Sequence, residues 1–90
     1  MPVAKFPLGQ IYATRGVINS ISRQEMTDAL IRHASGDWGD LDPEDKQAND
    51  DALKHGGRIF SAYTSSDGIR FWIITEANRS YTTVLLPEEY

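Results

Sequence analysis

Cysteine is absent from the 90-residue sequence, which excludes a disulfide framework and a thiolate metal site. No run approaches the roughly 20 apolar residues that a membrane-spanning helix needs. Residues 1–7, Met-Pro-Val-Ala-Lys-Phe-Pro, also lack the apolar core of a signal peptide. We therefore expect a cytosolic protein that depends on its own hydrophobic core.

Positive charge is also scarce, because 9 Lys and Arg oppose 13 Asp and Glu for a net charge of −4. This balance disfavours sequence-independent binding to nucleic acid, which depends on neutralising phosphates. Hydrophobic residues make up 40% of the chain and charged residues 24%, an ordinary globular composition. The length suits one domain, residues 1–90.

Catalytic and cofactor motifs are missing as well. Neither a GxGxxG nor a GxxxxGK[ST] phosphate loop occurs, and no GxSxG nucleophile elbow is present. His33 and His55 are the only histidines and have no local metal-ligand spacing. Both are better explained as imidazoles at the negative end of a helix dipole. The sequence predicts no catalytic residue, cofactor or metal centre.

The first predicted helix, residues 22–35, has a clear start signal. Ser22 and Glu25 have capping-box spacing, in which each side chain satisfies an amide at the helix start. One apolar face follows at helical spacing, formed by Met26, Ala29, Leu30 and His33. We expect this helix to lie on the core.

The second predicted helix, residues 43–55, follows the N-cap Asp42 and stops at Gly56-Gly57. Pro43 stands at the first helical position, where its missing amide does no harm. Its apolar face is small and consists of Ala48, Ala52 and Leu53. We expect this helix at the rim of the core.

Strand-like periodicity marks residues 58–64, 69–75 and 80–86, with Asp, Asn and Gly turn residues between them. A further short strand is predicted at 10–14, ended by a turn at Arg15-Gly16. The order β-α-α-β-β-β predicts an α+β fold of two helices packed on an antiparallel sheet, with a C-terminal β-meander.

Negative charge is concentrated between Gly36 and His55, where the local balance is −5. A solvated loop and helix start explain such a run structurally, and the calcium-loop register is not met. As a functional hypothesis, the acidic loop and helix form a partner surface of Asp37, Trp38, Asp40, Asp42, Glu44, Asp45, Asp50 and Asp51.

Trp38 is flanked by Asp37 and Gly39 in a predicted loop. Such a residue either plugs the rim of the core or presents an aromatic anchor to a partner. We favour the core plug.

A smaller basic set offers an alternative function. Arginines and aromatic residues on one sheet face bind RNA by phosphate contact and stacking. The candidate RNA-contact residues are Arg58, Arg70, Arg79 and Tyr81. These arginines are equally explained as outward residues of half-exposed strands that pair with acids.

Six segments carry a resemblance to known sequences: Gly9–Thr14, Arg32–Leu41, Asp50–Gly56, Arg58–Tyr63, Trp72–Ser80 and Thr82–Tyr90. Across nearly the whole chain, the sequence resembles a family of small bacterial proteins from plasmids, integrative elements and phage-like islands. Members are described as hypothetical or plasmid-related, and some as a type I restriction methylase subunit. The last description does not fit this chain, since it has neither a glycine-rich S-adenosylmethionine loop nor an Asn-Pro-Pro-aromatic motif. The resemblance implies a genetic context and no catalytic residues.

Three functional hypotheses follow. The leading one is a non-enzymatic protein-binding module of a mobile element or prophage, whose acidic surface binds a host defence or nucleic-acid-handling protein, as antirestriction and anti-CRISPR proteins do. The second is a ribonuclease toxin, because the element order is similar to that of bacterial toxins that cut mRNA or poison gyrase. The third is a structural or dimerisation module that pairs through an exposed strand edge.

Overall fold

The computed structural model describes residues 3–90, which form three α-helices and a four-stranded sheet. The elements in chain order are β1 (Gln10–Ala13), α1 (Arg15–Ser20), α2 (Arg23–Ala34), α3 (Pro43–His55), β2 (Ile59–Thr64), β3 (Arg70–Thr75) and β4 (Tyr81–Leu85), followed by a 3₁₀ turn at Pro87–Glu89. The α+β class, the four strands and the two longer helices are confirmed, with bounds within one residue of those predicted.

The sheet is mixed, so the prediction of an antiparallel sheet was wrong in one pairing. Its strand order is β1-β4-β3-β2. The meander β2-β3-β4 is antiparallel, as predicted, but β1 runs parallel to β4 with Gln10 opposite Tyr81. The pairing of β1 joins strands that are far apart in the chain, and no local sequence signal specifies its direction.

The helix α1 was not predicted, because the sequence favoured a turn at residues 15–16. Its first turn is stabilised by a distant side chain: the Glu89 carboxylate accepts from Thr14 Oγ1 at 2.5 Å and from the Gly16 amide at 3.1 Å. Val17 is fully buried on its inner side. Because Glu89 lies 73 residues after Gly16, local propensity could not reveal this helix start.

The helix α2 begins at its predicted cap, where Ser22 Oγ accepts from the Glu25 amide at 3.1 Å. The reciprocal half of the capping box is different, because Glu25 Oε1 accepts from the Ser66 amide at 2.7 Å. The predicted inner face is confirmed, with Ala29 and His33 buried and Met26 and Leu30 packed against the core. Glu25 therefore ties α2 to the turn between β2 and β3.

The helix α3 has its predicted N-cap, Asp42, whose side chain accepts from the Asp45 amide at 2.9 Å. Its apolar face differs from the prediction in one residue. Ala52 is buried and Leu53 half-buried, but Ala48 is exposed and Asn49 is buried in its place. The inner side of α3 is thus partly polar.

The helices pack on one face of the sheet over two apolar clusters. The larger joins Val17, Ile21 and Ala29 to Tyr63, Phe71, Ile73 and Val84. The smaller joins Phe6, Trp38, Ala52 and Ile59. The opposite face carries Phe60, Trp72 and Ile74, which alternate with the residues of the same strands that face the helices. Within residues 3–90, no helix has the length and apolar composition to cross a membrane.

Candidate functional site

The acidic helix α3 is fixed to the edge strand β2 by one buried side chain. Asn49 Nδ2 donates to the Phe60 carbonyl at 2.6 Å, and Asn49 Oδ1 accepts from the Phe60 amide at 3.1 Å. The side chain thereby pairs both backbone groups that a neighbouring strand would otherwise pair. This contact holds α3 at a defined position beside the sheet.

The loop before α3 covers the next part of the same edge. The Ala62 amide donates to the Trp38 carbonyl at 3.3 Å, and the Asp40 amide donates to the Ala62 carbonyl at 2.7 Å. Gly39 forms a parallel bridge with Ala62 and has a φ of 76°. The acidic loop therefore continues the sheet for one residue pair.

Trp38 lies in the core with 5% of its surface exposed, which confirms the expectation that it fills the rim of the core. Its ring packs against Phe6 and His33, and its indole Nε1 donates to the Asp50 carboxylate at 3.2 Å. Trp38 is consequently no anchor for a partner. Asp50, although exposed, orients this indole from α3.

Three further acids of the predicted surface have partners within the fold. Asp37 accepts two hydrogen bonds from Arg32, at 2.7 and 3.2 Å, and this contact holds the pKa of the Asp37 carboxyl below its usual range. Asp40 accepts from Thr64 Oγ1 at 2.9 Å. Asp42 caps α3. These carboxylates organise the loop and the helix start.

Glu44, Asp45 and Asp51 are the remaining acids, and we call them the free acids. All three are exposed on α3. Among residues 3–90, the only ion pairs within 4 Å are Arg32–Asp37 and Arg58–Glu76, so the free acids have no cationic partner at that distance. Asp51 accepts one neutral hydrogen bond from Gln47, one turn earlier. Of the eight predicted surface residues, these three are therefore the ones whose side chains have no hydrogen bond to another element within residues 3–90.

The candidate RNA-contact residues are not brought together. Arg79 is largely engaged inside the protein, where its guanidinium donates to the carbonyls of Ala52 at 3.1 Å and Gly57 at 2.6 Å, with further bonds to Glu76 and Ala77. It also lies 5.7 Å from the Phe6 ring centroid. Arg79 therefore joins the end of α3 to the β3–β4 turn.

The other members of that set lie at separate places on the sheet. Arg70 pairs with Thr64 at one end of β2, whereas Arg58 precedes the other end, roughly 20 Å away at 3.3 Å per residue. Arg58 donates to Glu76 at 3.3 Å, while Tyr81 is exposed beside Tyr12 at the open edge strand β1. A shared phosphate cannot contact all three.

A buried hydrogen-bond chain centred on His33 was missed from the sequence. His33 Nδ1 is 2.6 Å from Ser61 Oγ, and Nε2 is 2.9 Å from Thr75 Oγ1. Thr75 Oγ1 is 2.7 Å from Thr82 Oγ1, which donates to the Leu8 carbonyl at 2.7 Å. Strand alternation could have placed Ser61, Thr75 and Thr82 on the face of the sheet that the helices cover. It could not show that they meet His33, because the four residues are distant in sequence.

The directions of these hydrogen bonds assign the tautomer of His33. Since the Thr82 proton goes to Leu8, Thr75 must donate to Thr82, and Thr75 Oγ1 must accept from His33 Nε2–H. Nδ1 then accepts from Ser61. Burial, aided by the charge of Arg79, lowers the pKa of His33 to about 3.

His33 is therefore neutral at pH 7. It lies in the last turn of α2, as expected, but its ring nitrogens there hydrogen-bond Ser61 and Thr75. Ser61 and His33 have the spacing of a nucleophile and base, but both are fully buried. Their hydrogen bonds hold α2 to β2 and β3, and no substrate reaches them.

Comparison with known proteins gave no match to any family model, any curated protein or any solved structure. Within residues 3–90, no three His, Asp or Glu side chains are grouped as metal ligands. The surface feature of the acidic segment that remains is thus the set of free acids, which are exposed on α3.

Proposed function

We propose that this protein is a non-enzymatic protein-binding module whose free acids on α3 bind a basic surface of a partner. The observation that carries the proposal is the division of the acidic segment into two groups. All seven acids are exposed, but the side chains of Asp37, Asp40, Asp42 and Asp50 accept hydrogen bonds that organise the loop, the helix start or Trp38. Within residues 3–90, Glu44 and Asp45 accept no side-chain hydrogen bond, and Asp51 accepts one only from Gln47 on the same helix.

The attachment of α3 supports this assignment. Asn49 joins the inner side of the helix to the backbone of β2, and Arg79 bonds the Ala52 carbonyl in its last turn. The exposed carboxylates consequently project from a helix that is held at both its middle and its end. Pre-organised charge lowers the ordering cost of binding and speeds encounter with an oppositely charged surface.

The class of partner follows from charge and from the resemblance to mobile-element proteins. A row of carboxylates on a protein of net charge −4 suits a basic surface that normally contacts nucleic acid. A host defence or nucleic-acid-handling protein in the cytoplasm has such a surface. We thus propose a counter-defence role of the antirestriction or anti-CRISPR kind.

The test removes charge without touching the structural acids. A triple variant, Glu44→Gln, Asp45→Asn and Asp51→Asn, is compared with Asp28→Asn, Asp67→Asn and Glu88→Gln, which remove the same charge from exposed sites elsewhere. Each protein is immobilised, bacterial host lysate is passed over it, and retained proteins are quantified by mass spectrometry. We expect a partner retained by the wild type and the control triple, lost with the α3 triple and released by heparin.

Equal retention by the α3 triple and the wild type would contradict the proposal. Loss with both triples would also contradict it, because the effect would then follow net charge and not α3. Circular dichroism on all three proteins checks that the helices remain.

A second candidate function, self-association, is favoured by the open edge of the sheet. All four residues of β1 are exposed, and the strand contains no charge and no proline. Natural edge strands commonly carry such residues to prevent pairing with other chains. Gln10 and Thr14 turn their amides toward β4, so the alternate residues Ile11 and Ala13 turn theirs outward.

Proline at position 11 tests this candidate. Ile11→Pro removes an outward amide and leaves the β1–β4 hydrogen bonds in place. For a dimerisation module, sedimentation velocity should show a wild-type dimer, a monomeric Ile11→Pro variant and a dimeric Ile18→Gln control, in which an exposed apolar residue of α1 is replaced. A wild type that stays monomeric at its highest soluble concentration would exclude it.

A further inference from the structure

A groove lies on the face of the sheet that the helices leave uncovered. Its lining consists of Arg58, Phe60, Trp72, Ile74 and Tyr90, and its volume is about 230 Å³. Phe60 and Ile74 are paired in the β2–β3 register, and Trp72 is the next residue of β3 on that face. The groove is therefore built on two paired strands of the rigid sheet.

The aromatic walls of the groove support one another. Phe60 and Trp72 meet edge to face, with ring centroids 5.0 Å apart and planes at 88°. Trp72 and Tyr90 meet with centroids 5.8 Å apart and planes at 69°. Such edge contacts are favourable aromatic geometries and hold the three rings in place. An apolar group can enter without displacing a buried polar group.

Arg58 is the only charged residue of the lining. Its Nη1 donates to the Tyr90 hydroxyl at 3.0 Å, and its Nη2 donates to Glu76 at 3.3 Å. The guanidinium has five N–H groups, so others remain for a ligand, and its side chain is half exposed. Arg58 is ion-paired with Glu76 outside the lining, and its remaining N–H groups can be shared with the anion of a ligand whose apolar body enters the groove.

We propose that this groove binds a large apolar side chain of a peptide segment, with a neighbouring carboxylate of that peptide on Arg58. A planar carboxylate fits the guanidinium fork. A nucleobase fits less well, because its polar edge would meet aromatic rings and Ile74 with few hydrogen-bonding groups. The site lies on the face opposite to Ile59 and its α3 contacts, so it is separate from the free acids.

A small probe isolates this chemistry. N-acetyl-L-phenylalanine supplies the apolar side chain and the carboxylate in one molecule, and N-acetyl-L-phenylalaninamide is its uncharged match. The chain has two tryptophans, of which Trp72 lines the groove and Trp38 is buried elsewhere. Their indole N–H signals in ¹⁵N NMR therefore give a site reporter and an internal reference.

The acid should shift the Trp72 indole signal in a saturable way and leave that of Trp38 unchanged. Its Kd should be about three- to fivefold lower than that of the amide, the range expected for a partly exposed ion pair. Arg58→Gln should abolish this difference, whereas Arg70→Gln, at the opposite end of the same strands, should retain it.

Equal binding of acid and amide to the wild type would overturn the proposed role of Arg58. No shift at Trp72 with either probe would overturn the apolar site itself. A lower Kd for AMP than for the acid, measured at the Trp72 signal, would replace the peptide site with a nucleotide site. Tyr90→Ala, which removes one wall, should weaken both probes, and unchanged binding in this variant would contradict the groove.

Discussion

The two edges of the sheet differ in whether their outward backbone groups have hydrogen-bond partners. The edge strand β2 is covered at two residues, first by Asn49 of α3 at Phe60 and then by the loop of Trp38 and Asp40 at Ala62. The edge strand β1 has four exposed residues and no such cover from its neighbours in the sheet. Within residues 3–90, the outward amides of Phe60 and Ala62 on β2 are thus hydrogen-bonded, whereas those of Ile11 and Ala13 on β1 are not.

The comparison shows that polar contacts can position a helix that has little apolar surface. The helix α3 buries Ala52 and half of Leu53, a small hydrophobic contribution. Asn49 adds two hydrogen bonds to a strand edge that would otherwise need a partner. Covering β2 thus also fixes the orientation of the acidic outer side of α3.

The His33 chain links the two edges beneath the sheet. It begins at Ser61 on β2, passes through Thr75 and Thr82, and ends at the Leu8 carbonyl just before β1. Every hydroxyl in it has a partner. Breaking this link should reduce stability most. Removing Asn49 from β2 should have a smaller effect, and displacing the loop at Gly39 the smallest.

Acid should produce the largest effect, through His33. Its pKa is about 3 in the folded state and about 6.5 when unfolded, so the unfolded chain binds more protons between these values. The contribution of His33 to the free energy of unfolding should therefore be greatest above pH 6.5 and should fall as the pH decreases toward 3. Urea unfolding at a series of pH values measures this slope.

The variant His33→Gln should be less stable at pH 7 and should have a shallower pH dependence between 6.5 and 4. His55→Gln, at an exposed position of α3, is the matched histidine control. A slope that is the same in His33→Gln and in the wild type would show that other groups cause the acid sensitivity.

Removing the cover from β2 should have the next largest effect. Asn49→Ala leaves the Phe60 amide and carbonyl without their partner, and we expect a loss of about 3 kcal/mol in the free energy of unfolding. Gln10→Ala on the open edge should cost less than about 0.5 kcal/mol, as at other exposed sites. Similar costs for both variants in urea unfolding would remove the proposed distinction between the edges.

The loop beside β2 should show a smaller effect that depends on close approach. A Cβ added to Gly39 would clash with the Ala62 carbonyl oxygen and approach the Tyr63 ring, whereas one added to Gly68 would meet open space. Both glycines have positive φ, 76° and 82°. Gly68→Ala should thus cost about 1 kcal/mol, the conformational strain alone.

Gly39→Ala should cost about 1–2 kcal/mol more than Gly68→Ala, since the loop must also move away from β2. Thermal unfolding of the two variants provides the comparison. Equal melting temperatures would show that the loop is not closely packed on this edge.

Local chemistry in the sequence determined the helices α2 and α3 and the antiparallel meander. Ser22, Asp42 and Gly56 act within a few residues of themselves, and strand alternation with turn residues specifies hairpins between neighbouring strands. The free acids were also among the predicted surface residues. Each of these signals is contained in a short window of sequence.

Only the tertiary structure decided the features that join distant residues. The parallel β1–β4 pairing, the start of α1 at Glu89, the engagement of Arg79 and the groove at Trp72 all bring together residues from separate elements. The division of the acids depended on the fold for the same reason: Asp50 and Glu44 look alike in sequence, but Asp50 alone receives the Trp38 indole. Asp40 and Asp50 acquire structural roles because the fold brings Thr64 and Trp38, donors from other parts of the chain, to them.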